Sequence, residues 1–246
     1  MGLRLATVPA LAACPGLVHG FERRVRAGGD ETRREGRDRV RASLHDAGRL
    51  HFLQQVHGAT VLRAPWDGTP EGDAAVAGEP GLLLGIETAD CLPVLIVDPG
   101  RRVAGAAHAG WRGTAASVAA KTIEALVAEG SRPEDLLVAL GPGIGPCCYE
   151  VGDELRAAFR PAAEPFFRPG PRGRPHLDVR ALNVQQLCES GVPSARIHSV
   201  DECTSCRADL YYSYRRDGRS TGRMISFVGW TSPPLLRDAD ALVQRR

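Results

Sequence analysis

The chain has 246 residues, of which 43% are hydrophobic and 24% are charged, so it can bury a sizeable core. Its formal net charge of +2 is too balanced to indicate a nucleic-acid-binding protein, and no apolar run is long enough to span a membrane. Seven unevenly spaced cysteines do not fit a small disulfide-rich secreted domain; they favour a reducing, cytoplasmic location.

The N-terminal quarter predicts a strand followed by a helix. An apolar segment ends at residues 17–21, and a charged, helix-compatible segment then runs to about residue 50. The tetrapeptide LAAC at residues 11–14 matches a lipoprotein cleavage box. The apolar run before it is short and contains Pro9, so we do not predict a lipid anchor.

The central part of the chain predicts a β-hairpin with two potentially reactive side chains at its open end. Residues 94–97 and 103–107 are apolar strand-like runs, and the DPGR segment between them contains a Pro-Gly pair that favours a tight turn. Pairing of these runs brings their outer ends together. Cys91 and His108 occupy those ends, so the hairpin alone predicts a thiol next to an imidazole.

The second half of the chain mixes helices and strands. We expect Thr114 to cap a helix that stops at Gly130, and Asp178 to cap another. Asp217-Gly218 is a strong hairpin signal and predicts a closing pair of strands. The remaining predicted elements are a strand at 136–140, helices at 153–159 and 179–190, and a strand at 196–200. This irregular order, without repeats, predicts a single α+β domain over residues 1–246, with layered sheets and helices.

Cys91 and His108 could bind a metal if a third ligand joins them. His57 is the natural candidate, because it too lies in a glycine-containing turn between apolar runs. Imidazole and thiolate are ligands that zinc prefers, and a catalytic zinc keeps three protein ligands. Spacing alone leaves a second reading open, a metal-free hydrolase in which His108 activates Cys91 as the nucleophile. Copper-dependent phenol oxidation is disfavoured, because a multicopper site needs many more histidines.

The other cysteines give weaker signals. Cys147 and Cys148 lie in the loop GPGIGPCCYEVG, which fits a structural turn and a wall of the active site equally well. Cys203 and Cys206 have CxxC spacing, but no second CxxC accompanies them. The sequence therefore does not assign them to a structural zinc site or a redox pair.

Several motifs in order resemble those of the laccase-domain family of bacterial "polyphenol oxidases", now regarded as purine nucleoside phosphorylases and adenosine deaminases. These motifs are QQVHG, TADCLPVL, AAHAGWRGT, GPCCYEVG, DVRALNVQQL and YYSYRRDGRSTGRMISF. The resemblance implies that His57, Cys91 and His108 bind a metal, usually Zn²⁺. It also implies a single α/β domain similar in architecture to the cytotoxic necrotizing factor deamidases.

The resemblance further implies phosphorolysis of adenosine, inosine and methylthioadenosine to the free base and ribose 1-phosphate, with deamination of adenosine. The expected partners are thus purine nucleosides and phosphate. Arg112 is the first candidate for holding phosphate, and Arg24, the counterpart of a family arginine in HGFERRVRAGG, is the second. Asp90 is the candidate acid, although strand neighbours such as Asp90 and Cys91 point to opposite faces. Cys147 is a further candidate for contacting the substrate.

Overall fold

A computed structural model describes residues 3–25, 32–159, 161–171 and 173–232 of the chain. The strands of this part are β1 (Leu5–Ala6), β2 (Leu17–Glu22), β3 (Arg49–Phe52), β4 (Val61–Arg63), β5 (Ala74–Ala77), β6 (Leu82–Thr88), β7 (Leu92–Asp98), β8 (Val103–Ala109), β9 (Leu137–Leu140), β10 (Phe167–Pro169), β11 (Pro175–Leu177), β12 (Ile197–Ser199) and β13 (Met224–Trp230). The α-helices are α1 (Pro9–Ala12), α2 (Arg33–Ser43), α3 (Trp111–Ala115), α4 (Val118–Ala128), α5 (Asp153–Ala157), α6 (Val179–Glu189) and α7 (Tyr214–Asp217).

Two large sheets form the centre of the fold. Sheet A has the strand order β1-β2-β13-β6-β3, and sheet B has the order β12-β9-β7-β8-β5-β4. Strand pairs β3–β6, β4–β5 and β9–β12 are parallel, and the other pairs within these two sheets are antiparallel. This architecture confirms the predicted mixture of layered sheets and helices. Among the described helices, none combines the length and apolarity needed to cross a membrane.

The sheets pack face to face because their strands are apolar on both sides. In β7, Leu92, Val94 and Ile96 belong to a core shared with α4 and α6, whereas Leu95 and Val97 belong to the core between the sheets. Side chains alternate across a strand, so the uninterrupted apolar run of β7 is what a strand buried on both faces requires. On the far side of sheet A, helix α2 contributes to a third core.

The predicted central hairpin is confirmed. β7 and β8 are antiparallel from Leu92 opposite Ala109 to Asp98 opposite Val103, and His108 lies opposite Pro93. Cys91 directly precedes Leu92, the first paired residue of β7, and so lies at the open end of the hairpin. Since β8 also pairs with β5, this end is held from both sides by sheet B.

The prediction of one helix capped by Thr114 was wrong. Helix α3 begins after Gly110, and α4 begins after Ser117, whose φ of 59° interrupts the helical path. The Thr114 hydroxyl accepts a hydrogen bond from Asn183 Nδ2 at 2.9 Å instead of capping a helix. The predicted stop is confirmed, because Gly130 adopts φ +90° just after the C-terminus of α4. Asp178 caps α6 as expected.

The predicted closing hairpin was also wrong. Asp217 is the last residue of the short helix α7, which Ser213 caps by accepting a hydrogen bond from the Arg216 amide. Gly218, with φ 70°, ends that helix instead of turning a hairpin. Only β13 is a strand here, and it pairs with β2 and β6 in the middle of sheet A. A helix C-terminus and a hairpin turn share the same glycine signal, which caused the error.

We predict that Gly229→Ala destabilises the fold. Gly229 lies in the middle strand of sheet A, where an added Cβ would lie 2.4 Å from the Leu82 carbonyl oxygen and 2.9 Å from Leu83 Cα. Backbone atoms of a paired strand cannot move aside cheaply, so the free energy of unfolding should fall by about 1–3 kcal/mol. Urea denaturation measures this loss. Gly100→Ala is the control: its Cβ would make only an ordinary 3.4 Å contact, and an equal loss there would contradict the explanation.

Candidate active site

A cavity of about 490 Å³ opens at the end of the β7–β8 hairpin. His57, Cys91 and His108 lie on one side of it, with Trp111 from the start of α3. The rest of the lining consists of Ile144 and Tyr149 from the loop after β9, Tyr214 of α7, and several arginines, which are Arg33, Arg112, Arg215 and Arg223. The cavity thus combines potential metal ligands with aromatic surfaces and positive charge.

His57, Cys91 and His108 converge, as predicted. Their donor atoms all lie within 4.8 Å of one another, and the two imidazole rings are 4.9 Å apart between centroids. Zinc takes nitrogen ligands at about 2.0–2.1 Å and sulfur at about 2.3 Å, so one ion fits within a set of this size. Gly110 leaves room for it, since a Cβ there would lie 2.9 Å from Cys91 Sγ. The donor set and the space therefore both suit a zinc ion.

His57 and Cys91 lie in turns that have unusual backbone angles. His57 itself has φ 62°, and Asp90, just before Cys91, has φ 88°. Left-handed angles are uncommon outside glycine and require the surroundings to impose them. At His57, a buried carboxylate holds the backbone in this conformation.

Asp73 is that carboxylate, and sequence reasoning missed it. Its oxygens accept hydrogen bonds from the amides of Val56 (3.2 Å), His57 (2.9 Å) and Gly58 (2.6 Å), and contact His108 Nδ1 at 2.9 Å. The pKa of Asp73 lies below its usual value: burial alone would raise it, but His108 and the Gly58 amide outweigh burial. With Nδ1 engaged by Asp73, His108 has Nε2 left as its donor atom toward Cys91 and His57, which suits a metal ligand.

Cys91 and His108 shift each other's pKa. Burial disfavours the charged form of each, but the attraction between thiolate and imidazolium wins, and a hydrogen bond between the two side chains adds to it. The pKa of the Cys91 thiol is lowered to about 6, and that of His108 is raised. A thiolate is thus available at neutral pH, as either a metal ligand or a nucleophile.

Arg112 lies where the sequence places it, whereas Arg24 does not reach the cavity. The Arg112 guanidinium lies over the Trp111 ring, 4.4 Å from its centroid, and makes no hydrogen bond or ion pair within the described chain. Arg24 donates to the Ala208 carbonyl at 2.6 Å and lies over Tyr212. Glycines 28 and 29 of the Arg24 motif fall outside the described residues.

Two carboxylates border the cavity. Asp90 accepts hydrogen bonds from Thr204 Oγ1 and from the Arg215 amide, both at 2.6 Å. Glu87, which sequence reasoning missed, is paired through Oε2 with Arg37 at 2.5 Å. Its buried Oε1 has no hydrogen-bond partner among the described residues. An unpaired buried oxygen is costly, and Glu87 is one of the residues that line the cavity.

Cys147 does not line this cavity. The loop that contains it contributes Ile144 and Tyr149 to the wall, but Cys147 lies beside Cys148, Cys203 and Cys206 in a separate cluster. The loop is therefore partly the predicted wall, and its cysteines belong elsewhere. Sequence spacing could not show this, since the two cysteine pairs lie far apart in the chain.

The fold and site define a mixed α/β protein with a candidate His-Cys-His metal centre beside a cavity lined by arginines and aromatic rings. Residues 25–231 match the family described as "Multi-copper polyphenol oxidoreductase laccase", and the chain belongs to this family, as its motifs predicted.

Several relatives in this family are named as enzymes of purine nucleosides. The chain is 44% identical over 196 residues to a purine nucleoside phosphorylase of Deinococcus radiodurans, covering 79% of this chain and 76% of that one. It is 36% identical over 160 residues to an adenosine deaminase of an unknown prokaryote, covering 63% and 61%. The crystal structure of YlmD from Geobacillus stearothermophilus superposes with a TM-score of 0.83 at 32% identity, covering 94% of this chain and 97% of that one.

We predict that His57, Cys91 and His108 bind zinc and that Asp73→Asn weakens this binding about 10–100-fold, because an amide cannot satisfy both His108 and three backbone amides. Competition with a chromophoric chelator measures the affinity. Asp98→Asn is the matched control: Asp98 is also buried and accepts two backbone amides, but at the closed end of the same hairpin. If both variants lost affinity equally, Asp73 would have no special role in positioning the ligands.

Proposed function

We propose that this chain is a zinc-dependent purine nucleoside enzyme that catalyses phosphorolysis of adenosine, inosine and methylthioadenosine and deaminates adenosine. The observation that carries the proposal is the convergence of His57, Cys91 and His108 at a cavity lined by arginines and aromatic rings. The names of the relatives support the same substrate class. The histidine-poor ligand set disfavours multicopper chemistry, despite the copper in the family description.

Phosphate would bind at the arginines of the cavity. Arg112 is the best candidate, because its guanidinium makes no hydrogen bond to the described chain and so keeps its donors for a ligand. Arg215 and Arg223 donate to backbone carbonyls and add fixed positive charge. Guanidinium groups bind phosphate through paired, charge-assisted hydrogen bonds, which can hold it in one orientation.

The nucleoside would bind between aromatic and acidic groups. Trp111, Tyr149 and Tyr214 offer ring surfaces on which a purine can stack. Glu87 lines the cavity and places a carboxylate beside the space where the ribose would lie. In phosphorolysis, positive charge develops on the ribose near C1′, so a nearby carboxylate and a phosphate held by Arg112 both favour the transition state.

Zinc held by His57, Cys91 and His108 would supply Lewis-acid chemistry at one side of the cavity. Asp73 would keep His108 oriented for that role. Asp90 was the candidate for delivering a proton to departing ammonia. Both its oxygens already accept hydrogen bonds, from Thr204 and the Arg215 amide, and this bonding favours a role in positioning Arg215.

A second function has its own supporting observation. Cys91, His108 and Asp73 form a hydrogen-bonded chain of thiol, imidazole and carboxylate. Such a chain is how a cysteine hydrolase activates its nucleophile and orients its base. A metal-free hydrolase or deamidase therefore remains the competing proposal for the same residues.

Turnover by the purified protein tests the first proposal. With inosine and phosphate we expect hypoxanthine and ribose 1-phosphate, and with adenosine we expect inosine as well. Cys91→Ala should lower both rates by on the order of 10²-fold or more, since the ligand set is lost. Cys188→Ala, outside both cysteine-containing clusters, is the control. If the unmodified protein turned over inosine and adenosine no faster than Cys91→Ala does, the proposal would be refuted.

Metal content separates the two candidates. The zinc enzyme should lose activity on chelation and regain it with added zinc, and His57→Ala should remove bound zinc. The hydrolase should instead be inhibited by stoichiometric alkylation of Cys91 and be indifferent to chelators, because only an uncoordinated thiolate can attack.

We predict that Arg112→Ala raises the KM for phosphate about 10-fold or more, while the KM for inosine changes little. Loss of a charge-assisted hydrogen bond of about 1.5–3 kcal/mol gives an effect of this size. Steady-state phosphorolysis at varied phosphate measures it. Arg101→Ala, in the exposed turn of the β7–β8 hairpin, is the matched control. An unchanged phosphate KM in Arg112→Ala would assign phosphate binding to another residue.

A further inference from the structure

Four cysteines converge at a second place, outside the cavity described above. Cys147 and Cys148 come from the loop after β9, and Cys203 and Cys206 come from the loop after β12. Their sulfur atoms all lie within 4.8 Å of one another, and none is in a disulfide. We propose that these four thiolates bind a structural zinc ion that joins the two loops.

The sulfur spacing fits tetrahedral coordination. Zn–S bonds of about 2.3 Å arranged as a tetrahedron place the sulfurs about 3.8 Å apart. Cys206 Sγ lies 3.5 Å from Cys147 Sγ and 3.4 Å from Cys148 Sγ, so shifts of a few tenths of an ångström admit the ion. Four soft thiolate donors in this geometry select zinc over hard cations.

The surrounding backbone is arranged for a thiolate. The Gly145 amide donates to Cys203 Sγ at 3.2 Å, and such bonds stabilise a coordinated sulfur and fix its direction. Gly145 also packs closely against the cluster, since a Cβ there would lie 3.3 Å from Cys147 Sγ and 3.3 Å from Cys203 Cβ. Arg215 borders the groove beside Cys147 and Cys148 and offsets negative charge.

A disulfide explains the cluster less well. One bond would use two of the four thiols and leave the other two crowded beside it, and its S–S distance of about 2.05 Å is far below the separations found here. A zinc ion, in contrast, would coordinate all four thiolates. Cys203 and Cys206, with their CxxC spacing, supply two of the four ligands of a tetrathiolate site. The sequence contains no second CxxC, and the adjacent pair Cys147-Cys148 supplies the other two ligands.

The ion would brace the wall of the first cavity. The loop of Cys147 and Cys148 leads into Tyr149, which lines that cavity. The loop of Cys203 and Cys206 contains Thr204, which donates to Asp90. Among the described residues, a single β-bridge between Gly143 and Cys203 is the strand-type pairing that connects these loops. Coordination of one zinc ion by both loops would add a second connection between them.

Zinc content of purified full-length variants tests the proposal. Cys203→Ser/Cys206→Ser should contain about one zinc per chain less than the unmodified protein, whereas Cys188→Ser should lose none. His57→Ala/Cys91→Ala removes the other ligand set. X-ray absorption at the zinc edge of that variant should show four sulfur neighbours at about 2.3 Å, and cobalt substitution should give tetrathiolate charge-transfer bands.

These measurements do not use turnover, so they are independent of the nucleoside proposal. Should Cys203→Ser/Cys206→Ser fail to fold, the absorption spectrum of His57→Ala/Cys91→Ala still decides the question. Mixed nitrogen and sulfur neighbours there, or no bound metal, would overturn the proposal. So would iron in place of zinc, or a mass deficit of two hydrogens in the native protein, which identifies a disulfide.

Discussion

The buried Asp73 carboxylate is the contact on which the candidate active site depends. It binds three consecutive amides around His57 and the Nδ1 atom of His108, so one side chain holds two of the three potential metal ligands. Its own backbone carbonyl accepts from the His108 amide at 2.7 Å, which ties the same residue into sheet B. A left-handed His57 is tolerable because these bonds are made together and offset its strain.

The sequence predicted most of what lies within sheet B. The β7–β8 hairpin and the adjacency of Cys91 and His108 follow from local signals, namely apolar runs and a Pro-Gly turn, whereas His57 as the third ligand was implied by the family resemblance. Such signals act over a few residues and depend little on the rest of the chain. The errors at Thr114 and Asp217-Gly218 occurred where tertiary contacts decide between two local structures that share the same residues.

Residues that act through distant contacts could not be found in this way. Asp73 precedes an ordinary apolar strand, and nothing in its neighbours shows that its carboxylate faces His57 and His108. The pairing of Cys147-Cys148 with Cys203-Cys206 likewise requires two loops from different parts of the chain to meet. Arg24 illustrates the converse: a motif position favoured it, yet its guanidinium donates to the Ala208 carbonyl, lies over the Tyr212 ring and does not line the cavity.

The two sides of the cavity are built by different physical means. His57, Cys91 and His108 are positioned by sheet B and Asp73, so their geometry is fixed by buried hydrogen bonds that also stabilise the fold. Tyr149 and Asp90 lie in loops and Arg215 lies in the short helix α7, and hydrogen bonds from side chains join these segments, such as Arg215 to the Glu150 carbonyl and Thr204 to Asp90. The four-cysteine cluster joins the loop that leads into Tyr149 to the loop that contains Thr204, so the proposed zinc ion would fix these two segments relative to each other beside the cavity.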